Sequence, residues 1–179
     1  MSTLIAADIR VQFTGVLGDN LRGFYLSRTD KRHYAVTQFE STDARRAFPC
    51  FDEPAYKATF SVTLVIDRGD TAISNGRQTS DTPGPEPGTH TVTFATTPKM
   101  STYLVAMIVG DFVCRSGSSD GTTIRICSTP DKQGLTAYAL EAAEQQLAFF
   151  NRHFGVRYPF GKLDISGSPD FPAGAMENA

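Results

Sequence analysis

Phe60-Ser61-Val62-Thr63-Leu64-Val65-Ile66-Asp67 is the stretch on which the fold turns. Phe60, Val62, Leu64 and Ile66 alternate with Ser61, Thr63 and Asp67, and only Val65 breaks the polar side. Successive side chains of a strand point to opposite faces, so a period of two marks a half-buried strand. The same period recurs at Ile9, Val11 and Phe13, at Val92 and Phe94, and at Ile124 and Ile126. The apolar run Tyr103 to Gly110 is eight residues long and reads as a buried strand. Turn chemistry falls between these segments: Gly18-Asp19-Asn20, Asn75-Gly76, the Pro/Gly stretch at 82–88, and Ser116 to Gly121. The 82–88 stretch has strands on both sides, so it is expected to be a hairpin loop and not a linker. Short strands punctuated in this way predict a mainly β, antiparallel sandwich-like unit.

The pattern changes after Cys127. Leu140, Ala143, Leu147, Phe150 and Phe154 recur at spacings of 3, 4, 3 and 4, which puts them on one face of a helix. Gly155 follows as a stop, Arg152 and His153 sit in the last turn, and Pro159 lies beyond, so the helix is expected over 134–154. Lys162-Leu163-Asp164-Ile165 then predicts a short strand leading toward Gly174. The change of period divides the chain into 1–130, a β-rich unit, and 131–179. The second is too short for an ordinary domain and reads as the opening of a larger one.

The chain has 179 residues, a net charge of -2, 40% hydrophobic and 20% charged residues. These are globular values. No basic run or acidic tail points to nucleic acid or to a membrane surface. Met1 to Asp8 has neither a basic nor a long apolar region, so a secretory signal is not expected. Cys50, Cys114 and Cys127 are an odd, sparse set without a C-x-x-C pair. They are expected to be reduced, as structural thiols in a cytoplasmic protein.

Candidate chemistry lies at the far end, in Gly174-Ala175-Met176-Glu177-Asn178. A carboxylate such as Glu177 can hold an ammonium group through charge-assisted hydrogen bonds. Two converging carboxylates do better, because the ammonium has three donors to place. Gly174 and Ala175 are small enough to let a substrate backbone approach as an added strand, and Met176 offers a pliable apolar side chain. Asp52-Glu53 could be read as an acid/base pair, but neighbours on an extended segment face opposite ways, so Phe48 to Pro54 is expected to be structural. His33, His90 and His153 form no i, i+4 pair, and none is expected to bind metal.

Gly174-Ala175-Met176-Glu177-Asn178 resembles the exopeptidase signature of the zinc aminopeptidases of the aminopeptidase N type. Thr37-Gln38-Phe39-Glu40-Ser41-Thr42-Asp43-Ala44-Arg45-Arg46-Ala47-Phe48-Pro49-Cys50-Phe51-Asp52-Glu53-Pro54 resembles a long block in the N-terminal domain of the same family, most of all in its puromycin-sensitive branch. Gly23-Phe24-Tyr25, Lys57-Ala58-Thr59-Phe60, Thr97 to Val105, Phe154-Gly155, Tyr158-Pro159 and Lys162-Leu163-Asp164 agree in the same order. The resemblance covers about residues 9 to 178.

The resemblance implies a saddle-like β N-terminal domain, followed by the first helix and strand of a thermolysin-like α/β catalytic domain. It implies an enzyme that removes single residues from peptide N-termini. Gln38 and Met176 would border the pocket for the first substrate side chain. Glu40 and Glu177 would hold the substrate ammonium, and Gly174 and Ala175 would offer backbone. In the family, zinc is held by two His and a Glu beyond the exopeptidase signature. No H-E-x-x-H occurs in these 179 residues, so no catalytic or metal-ligating residue is assigned within them. The chain alone is expected to be inactive, with the rest of a catalytic domain as its partner. Family members begin with further strands before Ile9, so both ends are expected to be cut. Two alternatives stand beside this reading: a non-catalytic β-sandwich module that binds peptides or a protein, and a metal-free hydrolase using Asp52 and Glu53.

Overall fold

The computed structural model describes residues 7–179. The expectation about a secretory signal rests largely on residues 1–6, which lie outside the described residues. Ten strands and one long helix follow in order. The central sheet is antiparallel, with the order β1-β2-β7-β4: β1 is Gly23–Arg28, β2 His33–Gln38, β4 Thr71–Ser74 and β7 Met107–Gly110. A second antiparallel sheet has the order β3-β6-β5, built from β3 Thr63–Asp67, β5 Gln78–Pro83 and β6 Thr89–Phe94. The third sheet, β10-β9-β8, contains β8 Val113–Ser119, β9 Thr122–Ser128 and β10 Lys162–Gly167. There β8 and β9 run antiparallel, whereas β9 and β10 run parallel. A parallel pair needs a crossover, and helix α1, Thr136–Phe154, supplies it. The chain is mainly β, and the α-helix and the parallel strand pair follow the N-terminal sheets.

The 60–67 alternation is used as read. Leu64 pairs with Val92 and Ile66 with His90, while Val62, Leu64 and Ile66 pack on a core of Ala72, Val92 and Phe94. Ala72 comes from β4, so this core joins the two antiparallel sheets. The 82–88 stretch closes the β5–β6 hairpin, with Thr82 and Pro83 ending β5 and 84–88 forming the loop. A second core, of Tyr25, Tyr34, Val36, Ile73, Phe112 and Cys127, joins the central sheet to the third. Helix α1 lays Ala143 and Leu147 on Ile124 and Ile126, and Glu144 accepts from the Ser118 backbone N–H at 2.9 Å. The helix comes so close at this point that a Cβ on Gly117 would sit 2.1 Å from the Glu144 carboxylate. The α1 C-cap, Gly155, has φ of 65°, a left-handed conformation that costs glycine nothing.

Several expectations are corrected. Ile9, Val11 and Phe13 alternate but pair with no strand among the described residues, and Ile9 is 84% exposed. Alternation is a demand for a partner, not a supply of one. Tyr103 to Gly110 is not one strand: Thr102–Leu104 forms a 3₁₀ turn, and only Met107–Gly110 is β. Ser116 to Ser119 continue β8, so the turn shrinks to Asp120-Gly121. The α1 stripe is buried in its first half only, since Phe150 and Phe154 are exposed. The Gly174–Asn178 segment joins no ladder among the described residues. The three cysteines are not all thiols: Cys114 and Cys127 face each other across β8 and β9 and are joined in a disulfide, leaving Cys50 free. Sequence spacing hid this, because only the strand register sets them side by side. The third sheet takes β9 from before position 130/131 and β10 from after it, which leaves the division there neither supported nor overturned.

Candidate functional site

Strand β2 is central in its sheet, paired to β1 on one side and to β7 on the other. Its end departs from period two: Thr37, Gln38 and Phe39 are all buried. Thr37 tolerates this because its hydroxyl accepts from the Met107 N–H at 3.0 Å. Phe39, fully buried, heads a cluster with Ala44, Met100 and Val105. Gln38 is 8% exposed, and its Oε1 is buried without a hydrogen-bond partner. An orphaned buried acceptor of this kind is costly. Glu40 is exposed and bonds to no described side chain.

After Glu40 the chain turns through Ala44–Arg46 and returns along Phe48 to Pro54. Asp52 ties this return. Its carboxylate accepts from the Arg45 N–H at 3.0 Å and Nε at 3.1 Å, and from the Thr102 hydroxyl at 2.9 Å. Burial pushes the Asp52 carboxyl up, but the Arg45 and Thr102 hydrogen bonds outweigh it and leave the group below its usual range. Asp52 is buried and Glu53 exposed, so the two share no site and an acid/base pair is ruled out here. Because the folded state holds Asp52 ionised more strongly than the unfolded chain does, its stabilisation is present above about pH 4 and lost as pH falls through that range. Asp52→Asn is expected to lower the urea midpoint near neutral pH, and the gap to wild type should close by about pH 2–3. A gap that is constant with pH would show that the charge is not what holds the turn.

The Gly174–Asn178 segment begins with a crossing. Past β10 the chain passes over the central sheet. At the β1 edge, the Tyr25 hydroxyl donates to the Asp170 carbonyl at 2.8 Å, the Asp170 N–H donates to the Ser27 hydroxyl at 3.0 Å, and the Arg28 N–H donates to the Asp170 carboxylate at 3.1 Å. Burial raises the Tyr25 phenol to about 12, so it stays a donor. At the β4 side, Asn178 Nδ2 donates to the Leu104 carbonyl at 3.1 Å, and Ala179 packs on the Phe39 cluster. Between these ends, Gly174, Ala175 and Glu177 are exposed, and the added Cβ at Gly174 would meet nothing within 4 Å.

Beneath the crossing lies a groove of about 1340 Å³. Val36, Ile73 and Ala106 form its floor, Leu147 and Phe150 of α1 one wall, and Ala173 to Ala179 its rim. The structure therefore brings Gly174, Ala175, Met176 and Glu177 to one groove, with Gln38 and Glu40 outside its lining. The two sets are linked indirectly: Phe39, between Gln38 and Glu40, belongs to the cluster on which Ala179 packs. Sequence reasoning passed over Asn75, which was read only as part of a turn, and over Asp170. A carboxamide before a glycine is too common in turns to signal anything else. Among the described residues, no group of three or more His, Cys, Asp or Glu could hold a metal ion. These residues do not fit zinc, and no step is routed through it. None of the described helices is long and apolar enough to cross a membrane.

Comparison with known proteins adds family evidence. Residues 4–104 match the peptidase M1 N-terminal domain, and residues 138–179 match the peptidase family M1 domain. The chain is 46% identical over 173 residues to puromycin-sensitive aminopeptidase of Caenorhabditis elegans, covering 93% of this chain and 18% of that protein. It is 46% identical over 179 residues to aminopeptidase N of Oryctolagus cuniculus, with 96% and 18% covered. It is 43% identical over 182 residues to aminopeptidase 2 of Candida albicans, with 99% and 20% covered. The chain thus spans about a fifth of the length of these relatives.

Proposed function

The chain belongs to peptidase family M1, and from that premise we propose that it is the amine-recognising part of a zinc-dependent aminopeptidase. The observation that carries this reading is the Gly174–Glu177 segment: an exposed backbone outside any ladder, at the rim of a groove, with a carboxylate that no described side chain neutralises. A peptide laid along Gly174 and Ala175 as an added strand would bring its terminal ammonium to Glu177. Glu40 is the second carboxylate in this proposal, and Gln38 with Met176 borders the first substrate side chain.

Peptide N-termini are the proposed substrates, and the zinc and its ligands are proposed to come from the rest of the catalytic domain. The division at 130/131 is kept as a proposal based on the change of periodicity. A cytoplasmic setting belongs to the same proposal, and the Cys114–Cys127 bond counts against it, because such bonds persist in oxidising compartments.

The test is binding of a short peptide amide to the 179-residue chain, against the same peptide N-acetylated. The free-amine form should bind more tightly. Glu177→Gln and Glu40→Gln should each reduce that preference by about 10-fold or more, the scale of one hydrogen bond to a charged group. Equal binding of both peptides to wild type would overturn the assignment. The chain alone is expected to release no amino acids from peptides, and zinc-dependent release would show that the catalytic centre is not elsewhere.

A further inference from the structure

Asn75 follows the last residue of β4 and uses both ends of its carboxamide. Nδ2 donates to the Leu104 carbonyl at 2.7 Å and to the Ala179 carbonyl at 2.5 Å, while Oδ1 accepts from the Ala106 N–H at 2.8 Å. The Leu104 carbonyl also accepts from Asn178. One side chain thus joins the end of β4, the loop entering β7, and the end of the crossing segment.

The crossing has slack, and that makes the pins matter. From β1 to β4 it traverses three inter-strand spacings, about 14 Å, and shifts about 10 Å along the strands, from the level of Ser27 to that of Phe24, for a span of about 17 Å. Extended, the chain from Asp170 to Asn178 could reach roughly 28 Å. Chain length therefore does not place Glu177; contacts must. Asp170 holds one end on β1. No described hydrogen bond involves residues 171 to 177, so the other hold begins at Asn178 and centres on Asn75. Ser74, the neighbour of Asn75, receives the Lys162 ammonium on its carbonyl at 2.6 Å, so the end of β4 also fixes β10, from which the crossing departs.

We propose that Asn75 is a positioning residue: it pins the end of the Gly174–Asn178 segment to the central sheet and so sets where the Glu177 carboxylate stands. The amine-binding half of this inference rests on the function proposed above; the pinning does not. Asn75 touches no substrate atom. It acts through Leu104 and Ala179, whose carbonyls both accept from its Nδ2.

Asn75→Asp keeps the acceptor for the Ala106 N–H and removes both donors, so it separates pinning from support of β7. Asn178→Ala, on an exposed segment, removes the other donor to Leu104 without touching the core and serves if the first variant fails to fold. Backbone ¹⁵N relaxation on the whole chain reads the result directly. Order parameters at Met176 to Asn178 should fall from about 0.85 to below about 0.6, with those of β4, β7 and β10 unchanged. The preference for a free-amine peptide over its N-acetylated form should fall about 5- to 10-fold, the scale of one lost hydrogen bond. Order parameters that stay at the wild-type level in a folded variant overturn the proposal. So does an unchanged amine preference where wild type has one. If wild type shows no amine preference, the Glu177 reading fails, and the order parameters still decide the role of Asn75.

Discussion

Replacing Asp164 by Ala is expected to cost about 3–5 kcal/mol, a large share of a typical domain's stability. Asp164 lies in β10, directly opposite Arg125 of β9, with its side chain 5% exposed. It accepts from Arg125 Nε at 2.8 Å and Nη2 at 2.5 Å, and from Lys162 Nζ at 2.7 Å. Burial pushes the carboxyl up, but the hydrogen bonds from both cations prevail and hold it below its usual range. Burial likewise pushes the Lys162 ammonium down. Without Asp164, two half-desolvated cations would face each other across the only parallel strand pair in the described fold. Denaturant unfolding of Asp164→Ala measures the loss. A combined replacement of Arg125, Lys162 and Asp164 by apolar residues of similar volume should cost much less, because no charge is then left unpaired. A loss below about 1 kcal/mol for the single variant would place the trio among ordinary surface ion pairs.

Reducing the Cys114–Cys127 bond should cost about 3 kcal/mol, the loop-closure entropy for a ring of this size, the cysteines being 13 apart in sequence. For a chain of this length that is roughly 6–12 °C in Tm. The bond clasps the β8–β9 hairpin, on which α1 packs and beside which β10 pairs, so its loss should be felt by the second unit first. The measurement is a thermal scan with and without reductant, beside Cys114→Ala/Cys127→Ala. Thiol titration of the denatured chain should find one reactive thiol, Cys50, before reduction and three after. Three before reduction would remove the bond and restore the reading of these residues as buried thiols. An unchanged Tm in a chain that holds the bond would mean that the hairpin needs no clasp.

Much of this molecule was legible in its residues. The alternation at 60–67 and 89–94 marks two strands that pair with each other, because burial on one face selects every second residue. The helix over 136–154 and its glycine cap follow from spacing and from the one residue type that accepts φ of 65°. The family resemblance points to Glu40 and Glu177 as the ammonium-binding carboxylates, a role that stands as a proposal. Tertiary structure alone decided the rest. Among the described residues it left Ile9 to Phe13 without a strand partner, because pairing depends on a neighbour that pattern cannot provide. It joined Cys114 to Cys127, because a strand register turns distant positions into opposite ones. It made Asn75 a pin and Asp170 a hold, because a hydrogen bond is a matter of a few tenths of an ångström between atoms far apart in the chain. Residue type records which groups can bond; only packing determines which of them meet.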